Sequence, residues 1–237
     1  MADGNLFLRH LQALDLELLK PELRRVELAV NDVITEAGGE VQTVLLPITC
    51  ILSVITVMRD GEMVESRTLG RETGFGLLHA LGSPYTTERV LVQIGGEAWA
   101  LPLRTLSRLA LSSPHALKTI AQFAQSSLVQ STVALACNAL HDVESRLCRW
   151  LLMTQDRLES DLLPLTQEHL SIMLAVQRTT VNAAAQRLQD KGAIRYSRGR
   201  IHVLERSLLL RCSCECYEQV EENAQRLIGQ QPLAAAS

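Results

Sequence analysis

"LTQEHLSIMLAVQRTTVNAAAQRLQDKGAIRYSRGRIHV", residues 165–203, is the stretch whose reading decides the fold. Leu165-Thr166-Gln167-Glu168 is a helix start, with Thr166 able to cap and an amide and an acid in the first turn. The spacing predicts a helix over 167–174 whose core face is Leu170, Met173 and Leu174. "AVQ" interrupts it, and a second helix is predicted from Arg178 to Lys191. Val181, Ala184, Ala185 and Leu188, stepping by three and four, form its core face, which leaves Arg178, Thr179, Asn182 and Ala183 opposite. Gly192 ends the helix as a C′ residue should. "AIRYSRGRIHV" then reads as two strands around Ser197-Arg198-Gly199-Arg200, a hairpin with two arginines at its tip. A short helix pair followed by such a wing implies a winged helix-turn-helix, whose second helix enters the major groove of DNA N-terminus first.

Charge points the same way. Residues 165–211 hold eight Lys or Arg against three acids, a local charge of +5 in a chain of net −3, so the remainder carries −8. One basic module on an acidic body suits a polyanion met by one region only, here double-stranded DNA. At 237 residues the chain can bury one large core or two small ones, and 47% hydrophobic with 21% charged residues excludes a disordered chain. The N-terminus lacks the pattern of a signal sequence and no long uncharged apolar run occurs. A cytoplasmic protein with no membrane partner is expected, its six cysteines reduced.

Outward toward the N-terminus, residues 5–24 read as short helices interrupted at Pro21. From about 25 to 110, β-rich runs such as "VLLPITCILSVITVM", "RVLVQI" and "AWALPL" alternate with glycine punctuation. "RDGE" at 59–62 marks a hairpin. An antiparallel β-roll of double-stranded jelly-roll type is expected, giving an α+β chain. After Pro114 no glycine occurs until Gly192, so a long helix is expected. Leu117, Ala121, Ala124, Leu128, Ser131 and Leu135 step along it by four and three as a narrow seam for a second copy of the chain. The expected division is 1–113 for the β-roll, 114–140 for the dimerisation helix and 141–237 for the DNA-binding domain.

Over nearly its whole length the chain resembles the Crp/Fnr family of bacterial transcription regulators, most securely in "LTQEHLSIMLAVQRTTVNAAAQRLQDKGAI" and the wing after it. The resemblance implies a homodimeric regulator on two-fold symmetric DNA, with RNA polymerase as a further partner. Gln177, Arg178, Thr179 and Asn182 match base-facing positions, and Thr180 is placed with them. Thr166 and Gln167 match backbone-contacting positions, and Arg198 and Arg200 are placed on phosphates. Thr179 and Ala183 stand where relatives of the cyclic-AMP type carry Glu and a last Arg, so a different DNA site is expected. Arg178 can still read a guanine and Asn182 an adenine. The effector side departs further. In "GFGLLHALGSPYTTERVLV" Gly76 is in place, but Leu77 replaces the Glu that would bind a ribose hydroxyl, and Arg89 is the nearest phosphate ligand. Cyclic AMP in the usual pose is not expected. Gly76, Leu77, Leu78, Arg89, Ser127 and Ser131 are the candidate residues for another effector, if the protein needs one.

No cysteine precedes Cys50, so no iron–sulfur cluster of the family's N-terminal kind is expected. "RCSCECYE" places Cys212, Cys214 and Cys216 within five residues, but no fourth ligand is evident and the spacing lacks a paired CxxC. Ordinary thiols and no metal site are expected, with Cys50, Cys137 and Cys148 as small core hydrophobes. His79 and His115 keep open a haem-sensing alternative, and the cysteines a thiol-based one. A cupin-like metal enzyme needs several histidines on the strands, and residues 25–110 hold only His79. No enzyme is expected.

Overall fold

The computed structural model describes residues 4–229. Within them the chain forms two compact units, one of residues 4–57 and 67–128, the other of 58–66 and 129–229.

The first unit opens with α1 (Leu6–His10) and α2 (Ala13–Leu19). Asn5 anchors α1: its Oδ1 accepts from the Phe7 amide at 3.1 Å, and its Nδ2 donates to the carbonyls of Pro47 and Thr73 at 2.9 and 2.8 Å. Seven strands follow along the chain: β1 (Arg24–Leu28), β2 (Val33–Thr35), β3 (Thr43–Pro47), β4 (Ile51–Val57), β5 (Met63–Leu69, whose residues 63–66 are grouped with the second unit), β6 (Arg89–Ile94) and β7 (Gly96–Pro102). They build two antiparallel sheets, ordered β1-β7-β3 and β2-β6-β4-β5. The core between them is aliphatic, with Val44, Leu46, Leu52, Val54, Val90, Val92 and Leu101 all sealed from solvent. This is the expected roll. Gly74 is required by close approach, since a Cβ there would lie 2.4 Å from Leu46 Cδ2 and 3.0 Å from the Leu45 carbonyl. That approach lets the neighbouring Phe75 exchange two backbone hydrogen bonds with Leu45 on β3.

One helix falls inside the region read as β-rich: α3 (Leu103–Ser112), which buries Leu103, Leu106 and Leu109. Pro102 ends β7 and is also the N-cap of α3, so strand passes into helix without the turn residues that would mark a boundary. The long helix α4 (Pro114–Leu140) then runs as expected. It begins by packing Phe123 edge-on to Phe7, ring centroids 5.4 Å apart.

In the second unit α4 ends at Leu140, and Asp142 caps α5 (Val143–Leu158) by accepting from the amides of Glu144 and Ser145. Around α5 lie β8 (Leu162–Leu163), α6 (Gln167–Leu174), α7 (Arg178–Asp190), β9 (Ile194–Ser197), β10 (Arg200–Val203), α8 (Arg206–Cys212) and α9 (Cys216–Ile228). The sheet order is β8-β10-β9. The two-residue β8 has no counterpart in the sequence reading. Asp156 on α5 ties down the C-terminal helices, accepting from Tyr217 Oη at 2.7 Å and pairing with Arg206 at 2.9 Å. Cys137 is buried, as read, but it packs with Cys214, Cys216 and Val133 and not among aliphatic residues alone. Among the described residues no helix is long and apolar enough to cross a membrane.

Asn5→Ala removes a cap and two buried donors' bonds together. It is expected to cost about 1–3 kcal/mol, read as a lower urea midpoint for the transition of the first unit.

Candidate nucleic-acid interface

The interface is built by a few local rules. Thr166 is the N-cap of α6, its Oγ1 accepting from the His169 amide at 3.2 Å. Ala175 takes the left-handed conformation (φ 50°), which turns the chain sharply out of α6. Gln177 starts α7 with no side-chain cap, and its carbonyl accepts from the Thr180 and Val181 amides at 2.9 and 3.1 Å. Val181, Ala184, Ala185 and Leu188 are all buried. Gln177, Arg178, Thr179, Thr180 and Asn182 are exposed. The 3.6-residue period thus separates a packed face from a polar one, as the sequence implied.

The wing is equally local. Arg198 (φ 48°) and Gly199 (φ 74°) are both left-handed at the hairpin tip, the conformation of a type I′ turn. The Tyr196 amide donates to Gln189 Oε1 at 2.8 Å, which fastens β9 to the end of α7. A Cβ on Gly199 would stand 3.6 Å from Thr166 Cγ2, so the tip touches the start of α6. These elements frame an open cleft of about 420 Å³ lined by Thr166, Gln167, Glu168, Arg178, Arg198 and the wing tip. Four of the residues singled out in the sequence therefore meet in one cleft. Gln177, Thr179, Thr180 and Asn182 are exposed at the start of α7 without lining it, and Arg200 begins β10, paired with Ser197.

The cleft holds one acid, Glu168, that the sequence reading used only as a helix-start signal. Glu168 Oε1 lies 3.5 Å from Arg178 Nη2, and both side chains are well exposed. An exposed pair of this kind contributes at most about 1 kcal/mol, and a guanine edge or a phosphate can replace the carboxylate as Arg178's partner. A second acid fixes the far end of α7: Glu144 on α5 accepts from Arg187 Nε at 2.7 Å and from Lys191 Nζ. The Lys191 bond foremost, then that of Arg187, holds the Glu144 carboxyl below its usual range against the opposing effect of burial.

The effector candidates have separate surroundings in the first unit. Leu77 is buried and Leu78 exposed. Gly76 (φ 93°) sits against Val44 on β3. Arg89 pairs with Glu36 at 3.3 Å, and Ser127 Oγ lies 3.4 Å from Thr73 Oγ1. Ser131 belongs to the second unit. Beside Arg89, Glu88 takes Arg67 in a two-point ion pair at 2.6 and 2.9 Å. A carboxylate at this place opposes a phosphate ligand. A cleft of about 570 Å³ in the same unit is lined by Glu40, Gln42, His79, Arg104 and others, and by none of the six candidates. Burial keeps the His79 imidazole below its usual value, hence neutral at pH 7. His115 lies 3.5 Å from Asp15.

Three comparisons with known proteins bear on this geometry. Residues 145–212 match the model of the Crp-like helix-turn-helix domain. Among solved structures, FixK2 from Bradyrhizobium japonicum is similar at TM-score 0.70 and 15% identity, over 81% of this chain and 98% of that one. A putative Crp/Fnr-family regulator from Eubacterium rectale is similar at 0.67 and 15%, over 86% and 95%. The c-di-GMP responsive global regulator CLP of Xanthomonas campestris is similar at 0.67 and 16%, over 82% and 100%. No curated protein sequence matches the chain.

The Glu144 clasp carries a pH signature. A carboxyl whose folded pKa is depressed adds stability above its unfolded value, and that stability is lost as pH falls through the folded one. Urea unfolding of the second unit is expected to weaken from about pH 5 downward. Glu144→Gln should be less stable at neutral pH and lack that part of the acid-side loss.

Proposed function

We propose that the chain is a transcription regulator of the Crp/Fnr type, a reading supported by the Crp-like helix-turn-helix match of residues 145–212, and that it works as a homodimer whose two α7 helices read half-sites of a two-fold symmetric duplex. The observation that carries the reading is the cleft of the second unit, where Arg178, Thr166, Gln167 and Arg198 converge from α7, the start of α6 and the wing. Arg178 and Asn182 read bases with Gln177, Thr179 and Thr180 beside them, while Thr166, Gln167, Arg198 and Arg200 hold phosphates. The half-sites lie about 34 Å apart, one helical turn.

Dimerisation rests on α4. Leu117, Leu128 and Leu135 of the seam are 46%, 67% and 72% exposed in the single chain, far more than aliphatic side chains need be on a helix with buried neighbours. Ala121 is exposed between them, and Ala124 and Ser131 are partly so. A row of leucines separated by small residues suits close approach of the same helix from a second copy. On DNA in the cytoplasm, such a dimer acts on transcription by RNA polymerase.

The effector, where one is used, is not cyclic AMP in the usual pose. The buried Leu77 offers no acceptor for a ribose hydroxyl, and Arg89, the nearest candidate phosphate ligand, is already paired with Glu36 at 3.3 Å. Calorimetric titration with cyclic AMP is expected to give no saturable heat, and a one-to-one isotherm per chain would refute this part of the reading.

The DNA-binding assignment separates two arginines. On a duplex bound by the wild type, Arg178→Ala is expected to cost about 1–3 kcal/mol and relax specificity at one position of each half-site. Arg198→Ala is expected to weaken binding evenly across sequences and lower the salt slope by about 1. If both variants show the same uniform loss, α7 does not present Arg178 to bases.

A further inference from the structure

The end of α4 and the junction between α8 and α9, both in the second unit, bring four metal-ligating side chains together. Cys137 and His141 are one helical turn apart, and Cys214 and Cys216 come from some 75 residues later. The Sγ atoms of the three cysteines and a ring nitrogen of His141 all lie within 4.8 Å of one another. Cys137 Sγ stands 3.5 Å from Cys214 Sγ, and Cys216 Sγ stands 3.5 Å from His141 Nδ1. Zinc bound by thiolate at about 2.3 Å and imidazole at about 2.0 Å sets tetrahedron edges of about 3.5–3.8 Å. Both distances fit those edges.

We propose that Cys137, His141, Cys214 and Cys216 form a structural zinc site that clasps the end of α4 to the start of α9. Three observations beyond the cluster itself point to an ion. His141 is oriented as a ligand: with Nδ1 toward Cys216, its Nε2 lies 3.2 Å from the Glu215 carboxylate. A ligating imidazole donates its other N–H to a carboxylate in this way. The three cysteines are 0%, 7% and 3% exposed, which closes the site to a catalytic water or substrate and makes it structural. The third observation is charge. Arg149 on α5 is 2% exposed, its Nε has no acceptor, and Nη1 reaches only Met153 Sδ at 3.4 Å. Three thiolates and one imidazole around Zn²⁺ carry a net −1, the counter-charge that a buried guanidinium without a carboxylate calls for.

The donor set and spacing choose among metals. Soft thiolates with one imidazole in a closed four-ligand arrangement suit zinc, whereas carboxylate-preferring magnesium or calcium is disfavoured. An iron–sulfur cluster places its cysteines around several irons and needs ligands spread wider than a single ion does. Cys212 is not part of the site, for it is half-buried with its Sγ 4.0 Å from Lys191 Nζ. Binding releases the thiol protons to solvent as the sulfurs take the ion. No sulfur changes oxidation state.

The test is the metal content of the full-length chain, purified under reducing conditions without chelator, by mass spectrometry of the elements. One zinc per chain is expected, retained in Cys212→Ser and lost in Cys214→Ser and His141→Ala. Because those two variants can misfold, wild-type protein stripped of metal at low pH is also refolded with Co²⁺ under reducing conditions. Intense thiolate-to-cobalt absorption saturating at one equivalent, and displaced by zinc, is the expected result. Protein without metal that also gives no such absorption overturns the proposal. So does metal-free protein isolated without reductant that is lighter by two hydrogens, with the missing pair mapped to a Cys137–Cys214 disulfide. That outcome would make the pair a redox couple instead.

Discussion

Arg178 is held out at the start of α7 by the way that helix packs on α5 and α6 behind it. Ala184 and Ala185, at most 1% exposed, let α7 pack closely against α5 and α6. A larger side chain at either position would push the helix off its seat, since a packed core has no room to absorb added methylenes. The sharp turn at Ala175 sets where α7 begins, and the Glu144 clasp holds its other end through Arg187 and Lys191. The wing is hung from the same helix by Gln189 and braced on Thr166 by Gly199. The whole reading surface therefore inherits its geometry from one helix crossing.

This dependence also explains which parts of the molecule were legible from the chain alone. Between 165 and 203 the caps, the glycine and the apolar period report the same boundaries, and local chemistry alone places α6, α7 and the wing. The arginines and polar residues of the site were legible for the same reason, being whatever the core face excludes. The helix α3 was not, because Pro102 serves strand and helix at once and the leucines after it carry no start signal. Glu168 beside Arg178, and Glu144 behind α7, are contacts made by folding and leave no spacing to read. The cysteines show the limit most clearly. The sequence reading found Cys214 and Cys216 but no fourth ligand, because Cys137 and His141 lie far away in the chain, in and just beyond the last turn of α4. The i, i+4 spacing of Cys137 and His141 was the signal available, but only Cys137 was read, as a small core hydrophobe.

The two units also divide the labour in electrostatic terms. The second unit places Arg178 and Arg198 around an open cleft, where solvent screening would make each contact to a polyanion weak and the sum salt-dependent. The roll uses its charges in pairs, as Arg67 with Glu88 and Arg89 with Glu36. A phosphate arriving there would have to break an existing pair.

The measurement that tests the account most directly is selection of DNA by the full-length protein from a random duplex pool, with and without a small-molecule extract of host cells. The account predicts enrichment of a two-fold symmetric sequence whose half-sites lie one helical turn apart. Folded protein that enriches no symmetric sequence in either arm would contradict it.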